Sequence, residues 1–192
     1  IFVATEYHKR LLLSKRILNA NQVVVTGLPI YPDEFVKDVK KENIVVFPHR
    51  LDPEKQPQLF DRLAVMLRFD YPNWKFVKTK EVCKNKKEYY DLLNRAKIAV
   101  SFAKQETFGI AMLESLFCGC IPVVPDRLSY SELFANNIFL RHDDADVISF
   151  VEKLLSNSDT FYIASEQAKV HARDFAKPYC ESAISKMLEV MK

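Results

Sequence analysis

Five short, apolar, β-branched runs constrain this chain more than any other feature: QVVVTGL (22–28), NIVVFP (43–48), WKFVKT (74–79), KIAVSF (97–102) and CIPVVP (120–125). Their hydrophobicity is continuous rather than alternating, which suits strands covered on both faces, as in a parallel sheet. Helix-like stretches separate them: QPQLFDRLAVMLRFDYP after the second run, KKEYYDLLNRA after the third, and a helix from about Phe108 after the fourth. Such alternation predicts a Rossmann-like α/β fold, a parallel sheet with helices on both faces. Pro53 and Pro57 flank the start of one helix, and Gly119 follows the end of another. From about Asp144 the tail reads as helices only (DADVISFVEKLLSN, TFYIASEQAKVHARDF, PYCESAISKMLEVMK), a helical C-terminal extension. EYHKRLLLSKRIL (6–18) predicts one more helix near the start.

The totals exclude several classes. A chain of 192 residues, 48% hydrophobic and 28% charged, is long enough to bury a core without disulfide or metal staples. A net charge of +3 is too mild to demand nucleic acid or a membrane as partner. Cys83, Cys118, Cys120 and Cys180 form no CxxC pair and show no metal-ligand spacing with histidine, so reduced thiols in a cytoplasmic setting are expected. No run approaches the roughly 18 apolar residues of a membrane span, and the start has no signal-peptide pattern.

Ligands of open parallel sheets bind beyond the carboxyl ends of the strands, and two loops there carry candidate chemistry. In SFAKQETFGIAMLE, Glu106 ends a polar loop and Gly109 lies in the first helical turn, where a missing side chain would open backbone N–H groups to an anion. Glu114 lies beside Ile110, Leu113 and Phe117, the expected inward stripe. A buried carboxylate costs several kcal/mol unless it is partnered. Adjacent hydroxyls of a ribose would partner it, and so would an Arg or Lys of a neighbouring element; the motif alone leaves both open. In NIVVFPHRLDPEKQPQLF, Arg50 and Lys55 follow a buried strand at the same sheet edge. Two cations converging on a helix N-terminus read as a diphosphate cradle, against the alternative of a solvated charged loop.

Glu106 and Glu114, separated by seven residues within ETFGIAMLESLFCGCIPVV, resemble the paired-glutamate motif of GT-B glycosyltransferases, in particular the large retaining GT4 family. PHRLDPEKQPQLF is similar to that family's strand–Arg–Lys segment, VVVTGLPIYPDEF to its hinge, and NIFLRHDDADVISFVEKLLSN to the passage from a short strand into its C-terminal helices. The likeness covers nearly the whole chain in order, and PHR with FGIAMLES is most similar to the group around the tRNA-queuosine mannosyltransferase. It implies the C-terminal, donor-binding half of a GT-B fold: residues 1–20 form a helix at the junction with an N-terminal acceptor domain, and residues 21–192 bind the nucleotide sugar. The Ile start is expected if that domain precedes residue 1. By position, Arg50 and Lys55 would bind the donor diphosphate, Glu106 hydroxyls of the transferred sugar, and Glu114 the ribose. Backbone N–H groups of Thr107, Phe108, Gly109 and Ile110 would hold the distal phosphate. Glu106, Arg50 and Lys55 would carry the catalysis. No metal and no cofactor is implied beyond a UDP- or GDP-sugar donor, and the product would be a hexosyl or pentosyl transfer to an unidentified acceptor.

Three departures stand out. His49 replaces the family's usual Gly, Thr107 a commoner Gly or Pro, and FVKTKEVCKNKKEYY a glycine-rich turn that normally helps hold the base. Lys75, Lys78, Lys80, Lys84, Lys86 and Lys87, with Trp74, form either a solvated edge or a stripe for a nucleic-acid acceptor. His49 would contact ligand or be satisfied by nearby backbone. Lys104 is expected to pair with Glu106, Cys118 and Cys120 to pack in the core, and Ser129 or Ser131 to cap a short helix bearing Tyr130 and Glu132. A noncatalytic nucleotide-binding module is the second reading; a dinucleotide oxidoreductase fits poorly, because no GxGxxG follows a strand.

Overall fold

The computed structural model describes residues 1–16 and 18–191. Strand β1 (Phe2–Val3) leads into α1 (Glu6–Ser14) and β2 (Val24–Val25). Then follow β3 (Ile44–Phe47), α2 (Pro57–Leu67), β4 (Lys75–Lys78), the single turn α3 (Thr79–Val82), α4 (Lys86–Arg95) and β5 (Ile98–Val100). The chain continues through α5 (Ile110–Phe117), β6 (Ile121–Pro125), α6 (Tyr130–Leu133), β7 (Leu140–Arg141), α7 (Asp144–Ser156), α8 (Ser158–His171) and α9 (Lys177–Val190).

The main sheet is parallel throughout, in the order β4-β3-β5-β6-β7. As predicted, its central strands are apolar on both faces: every residue of β3, β5 and β6 is buried. One expected strand lies elsewhere. The 22–28 run contributes only β2, which pairs with β1 in a separate two-stranded parallel sheet, and the fifth position of the main sheet goes to β7. Apolar β-branched residues fit either pairing equally well, so their pattern alone does not name the partner.

Helix boundaries follow local chemistry. Asn85, Asp143 and Asn157 cap α4, α7 and α8 by accepting from backbone N–H groups three residues on. A π-helical turn at Ala172–Ala176 joins α8 to α9, next to Pro178, which lacks the N–H a continuous α-helix would use. The helix expected over 6–18 stops at Ser14; Ile17 lies outside the described residues, as does Lys192 at the end of the predicted last helix. Ser129 precedes α6 but makes no side-chain cap, and its hydroxyl is buried without a partner.

The core is aromatic-rich: Phe47, Phe60, Phe102, Phe108, Tyr130, Phe134 and Phe139 are all essentially inaccessible, each worth roughly 1.5–3 kcal/mol of burial. Cys118 and Cys120 belong to it, and burial pushes their thiols up to about 12 and about 11. Lys41 closes the helix ends nearby, its ammonium donating to the carbonyls of Ala96 and Cys118, where helix C-termini favour a cation. Among the described residues, no helix is long and apolar enough to cross a membrane.

Candidate functional site

The chain runs from β3 outward to β4, then returns past β3 to β5, so the loops after β3 and β5 diverge at the sheet's switch point. There they frame a cleft of about 480 Å³, lined among others by His49, Arg50, Lys55, Glu106, Thr107, Phe108, Ile110 and Glu114. All the predicted site residues except Gly109 line it. The lysine-rich segment after β4 forms the opposite wall through Thr79, Lys80, Cys83, Lys84, Asn85 and Lys86.

The ionic groups are paired with one another. Lys55, buried in a 3-10 turn, donates to the Gln105 carbonyl and approaches Glu106 Oε2 at 3.2 Å. Glu106 Oε1 accepts from the backbone N–H groups of Thr107 (3.1 Å) and Phe108 (3.4 Å). Two of the groups expected to hold a phosphate therefore hold this carboxylate. Burial pushes the Glu106 carboxyl up, but Lys55 and the loop N–H groups outweigh that and keep it below the usual carboxylate range. Lys104 pairs with Asp144 at 2.8 Å and not with Glu106. Arg50 stays largely exposed and is bound by its own loop, to Asp52 at 3.1 Å and Glu54 at 3.2 Å.

Glu114 is buried on α5 and fully engaged: Oε1 accepts from Lys86 Nζ (2.8 Å) and the Tyr90 hydroxyl (2.7 Å), Oε2 from the Tyr89 hydroxyl (2.9 Å). Of the two partners left open by the sequence, the structure shows the cation, on a neighbouring helix. Lys86 itself is 69% exposed. The spacing of Lys86, Tyr89 and Tyr90 puts them on one face of α4, and Phe35 stacks on the Tyr90 ring at 4.3 Å. The expected inward stripe of α5 also needs correcting. Ile110 is 44% exposed, while Met112 through Leu116 are all buried, because α5 is covered on several sides by the sheet and α4 rather than by one surface.

Gly109 has a different task from the one expected. It caps α5 in the left-handed region (φ +85), and a Cβ there would meet the Tyr130 ring at 2.8 Å. Its bare side faces the core, under a Tyr130 hydroxyl bonded to Ser101 Oγ at 2.9 Å. Two contacts invisible to the sequence tie the start of the chain here: Thr5 Oγ1 donates to the Thr107 carbonyl of this loop at 2.7 Å, and Glu132 of α6 accepts from the N–H groups of Glu6 and Tyr7 at the start of α1.

His49, expected to be ligand-facing or backbone-satisfied, is 3% exposed with no partner for Nε2. Burial pushes its pKa down to about 4, with Glu106 opposing and Lys55 reinforcing the shift. An unpartnered buried group of this kind costs roughly 1–3 kcal/mol. Among the described residues, no cluster of three His, Cys, Asp or Glu is placed to hold a metal ion.

A parallel sheet with a cleft at its switch point, helices around it and a helical tail defines a Rossmann-like α/β domain. Residues 82–170 match the family described as glycosyl transferases group 1, a span holding Glu106 and Glu114 but not Arg50 or Lys55, and the whole chain has the fold of a GT-B C-terminal domain. A Drosophila melanogaster tRNA-queuosine alpha-mannosyltransferase is 45% identical over 49 residues, 26% of this chain and 13% of that protein. Two solved structures share the fold. A mutant of TarM from S. aureus, in complex with fondaparinux, alpha-GlcNAc-glycerol and UDP, has a TM-score of 0.76 at 17% identity over 100% of this chain and 43% of its own. HepE from Anabaena, in complex with UDP and glucose, has a TM-score of 0.71 at 14% identity over 97% and 62%. The chain thus spans under two thirds of each.

Proposed function

We propose that this domain binds a nucleoside-diphosphate sugar in the switch-point cleft and, with the remainder of a GT-B glycosyltransferase, passes the sugar to an acceptor with retention and without a metal ion. The observation that carries this reading is the convergence of Lys55, Glu106 and Glu114 from three separate elements on one cleft. The UDP in the TarM structure and the UDP and glucose in the HepE structure support the choice of ligand.

Arg50 and Lys55 neutralise the diphosphate, Glu106 accepts from hydroxyls of a hexosyl or pentosyl unit, and backbone N–H groups from Thr107 to Ile110 hold the distal phosphate. Glu114 accepts from the ribose. Arg50, Lys55, Glu106 and Glu114 each have an internal partner, so binding is an exchange. Glu106 yields the loop N–H groups to phosphate, and Lys86, mostly exposed, leaves Glu114 at little cost. Catalysis then consists of stabilising the departing nucleoside diphosphate by prepositioned donors. An N-terminal domain of the same protein supplies the acceptor site. A nucleic-acid acceptor draws support from the name of the mannosyltransferase relative and from Lys80 and Lys84 on the cleft wall. Four free cysteines, three of them buried, suit a cytoplasmic setting.

The test is calorimetry of this chain with UDP-, GDP- and ADP-sugars. One of them should bind weakly and without turnover, and Glu114→Gln should weaken it roughly tenfold by removing a charged acceptor. Silence with all three sinks the reading. Consumption of the sugar nucleotide by a longer parent chain separates an enzyme from a noncatalytic nucleotide module, which would bind without consuming.

A further inference from the structure

His49 lies two residues beyond the end of β3 at the switch point, and its ring packs edge-on against Phe47 with centroids 5.1 Å apart. It lines the cleft beside Lys55 and Glu106, is 3% exposed, and leaves Nε2 without a hydrogen-bond partner. Buried polar atoms are nearly always paired, and Lys55, Glu106 and Glu114 of this cleft each have a partner. Nε2 is thus an unpaired hydrogen-bonding atom of a residue that lines the cleft. The charged groups that act on the ring are Glu106 and Lys55, both lining the same cleft.

We propose that His49 is a further binding residue of this cleft, its neutral imidazole donating from Nε2 to an oxygen of the distal phosphate of a nucleoside diphosphate. The inference rests on the function proposed above and deepens it. Burial keeps the ring uncharged at neutral pH, so one nitrogen carries a proton and the other does not; an anion selects the tautomer with the proton on Nε2. A neutral donor adds a bond to phosphate without placing a third cation against Lys55 and Arg50, and without drawing Glu106 away from Lys55.

The experiment compares the wild-type chain with His49→Phe, which keeps the ring volume and the edge contact with Phe47 but has no nitrogen. Calorimetry uses UDP, GDP and ADP, then the monophosphate of whichever binds. The diphosphate should bind the variant roughly five- to tenfold more weakly, while the monophosphate is unaffected. Equal diphosphate affinity in the two proteins, or an equal loss for the monophosphate, overturns the inference and leaves the proposed function standing. Wild-type protein that binds none of the three removes both. Should the variant not fold, ring-nitrogen resonances of the wild type decide the matter. The His49 Nε2 signal should move on adding the diphosphate, and a stationary signal overturns the assignment.

Discussion

The acid of the candidate nucleoside subsite carries a counter-ion it does not need to keep. Glu114 is 7% exposed at its side chain whereas Lys86 is 69% exposed, and two tyrosine hydroxyls also donate to the carboxylate, Tyr89 without a hydrogen bond to the lysine and Tyr90 while accepting from it. Glu114 pushes the Lys86 ammonium up despite partial burial, so the pair is intact at neutral pH. Lys86→Met should lower stability by about 1 kcal/mol, the scale of one charged hydrogen bond discounted for an exposed partner. It should leave affinity for the bound sugar nucleotide unchanged or improved, since ribose hydroxyls no longer displace a competitor. Urea unfolding and calorimetry check the two halves; a tenfold loss of affinity would make Lys86 a ligand contact instead. Glu106 and Glu114 were legible as a pair because acids beside an apolar run are conspicuous. Their partners were not, because Tyr89 and Tyr90 look like ordinary faces of an amphipathic helix until α4 is docked against α5.

At the level of elements, the start of α5 is the tightest joint. Gly109 combines a left-handed backbone with contact against Tyr130, itself fully buried and bonded to Ser101. Gly109→Ala should cost about 1–2 kcal/mol for the backbone and a further 1–3 kcal/mol, roughly, for overpacking. Thermal unfolding should show a drop of several degrees; an unchanged melting temperature would mean that α6 shifts freely to make room. The sequence marked this glycine correctly but suggested the wrong beneficiary, because a glycine before a helix reads alike whether its open side faces a ligand or a ring. Strand identity followed the same logic. β3, β5 and β6 announced themselves as doubly buried runs and β4 as an apolar run, although at the sheet edge its Lys75 is exposed and the rest only half-buried; β7 is two residues long and half-buried, too short to leave a pattern. The pairing of β1 with β2 depends on chain geometry that no local pattern encodes.

Across the whole molecule, the two ends of the chain meet beside the cleft. The Tyr179 hydroxyl of α9 donates to the Ala4 carbonyl, and Thr5 holds the Thr107 carbonyl, so stability and the shape of the binding loop are coupled. The pH dependence of folding reports on that coupling through His49. Its folded pKa of about 4 lies below the ordinary 6.5, so between those values the unfolded chain binds the proton more readily, and stability falls as pH falls. Above about pH 6.5 the contribution is complete; below it the loss is at most roughly 1.4 kcal/mol per pH unit. The Glu106 carboxyl, held low, adds its own loss only below its ordinary 4.5. His171, also lowered by burial, is present in both proteins when wild type is compared with His49→Phe. The difference between their urea-unfolding free energies at pH 7, 5.5 and 4.5 therefore isolates the cleft histidine. The wild-type curve should fall more steeply over this range, and parallel curves would place the ring in contact with water, with its nitrogen no longer reserved for a ligand.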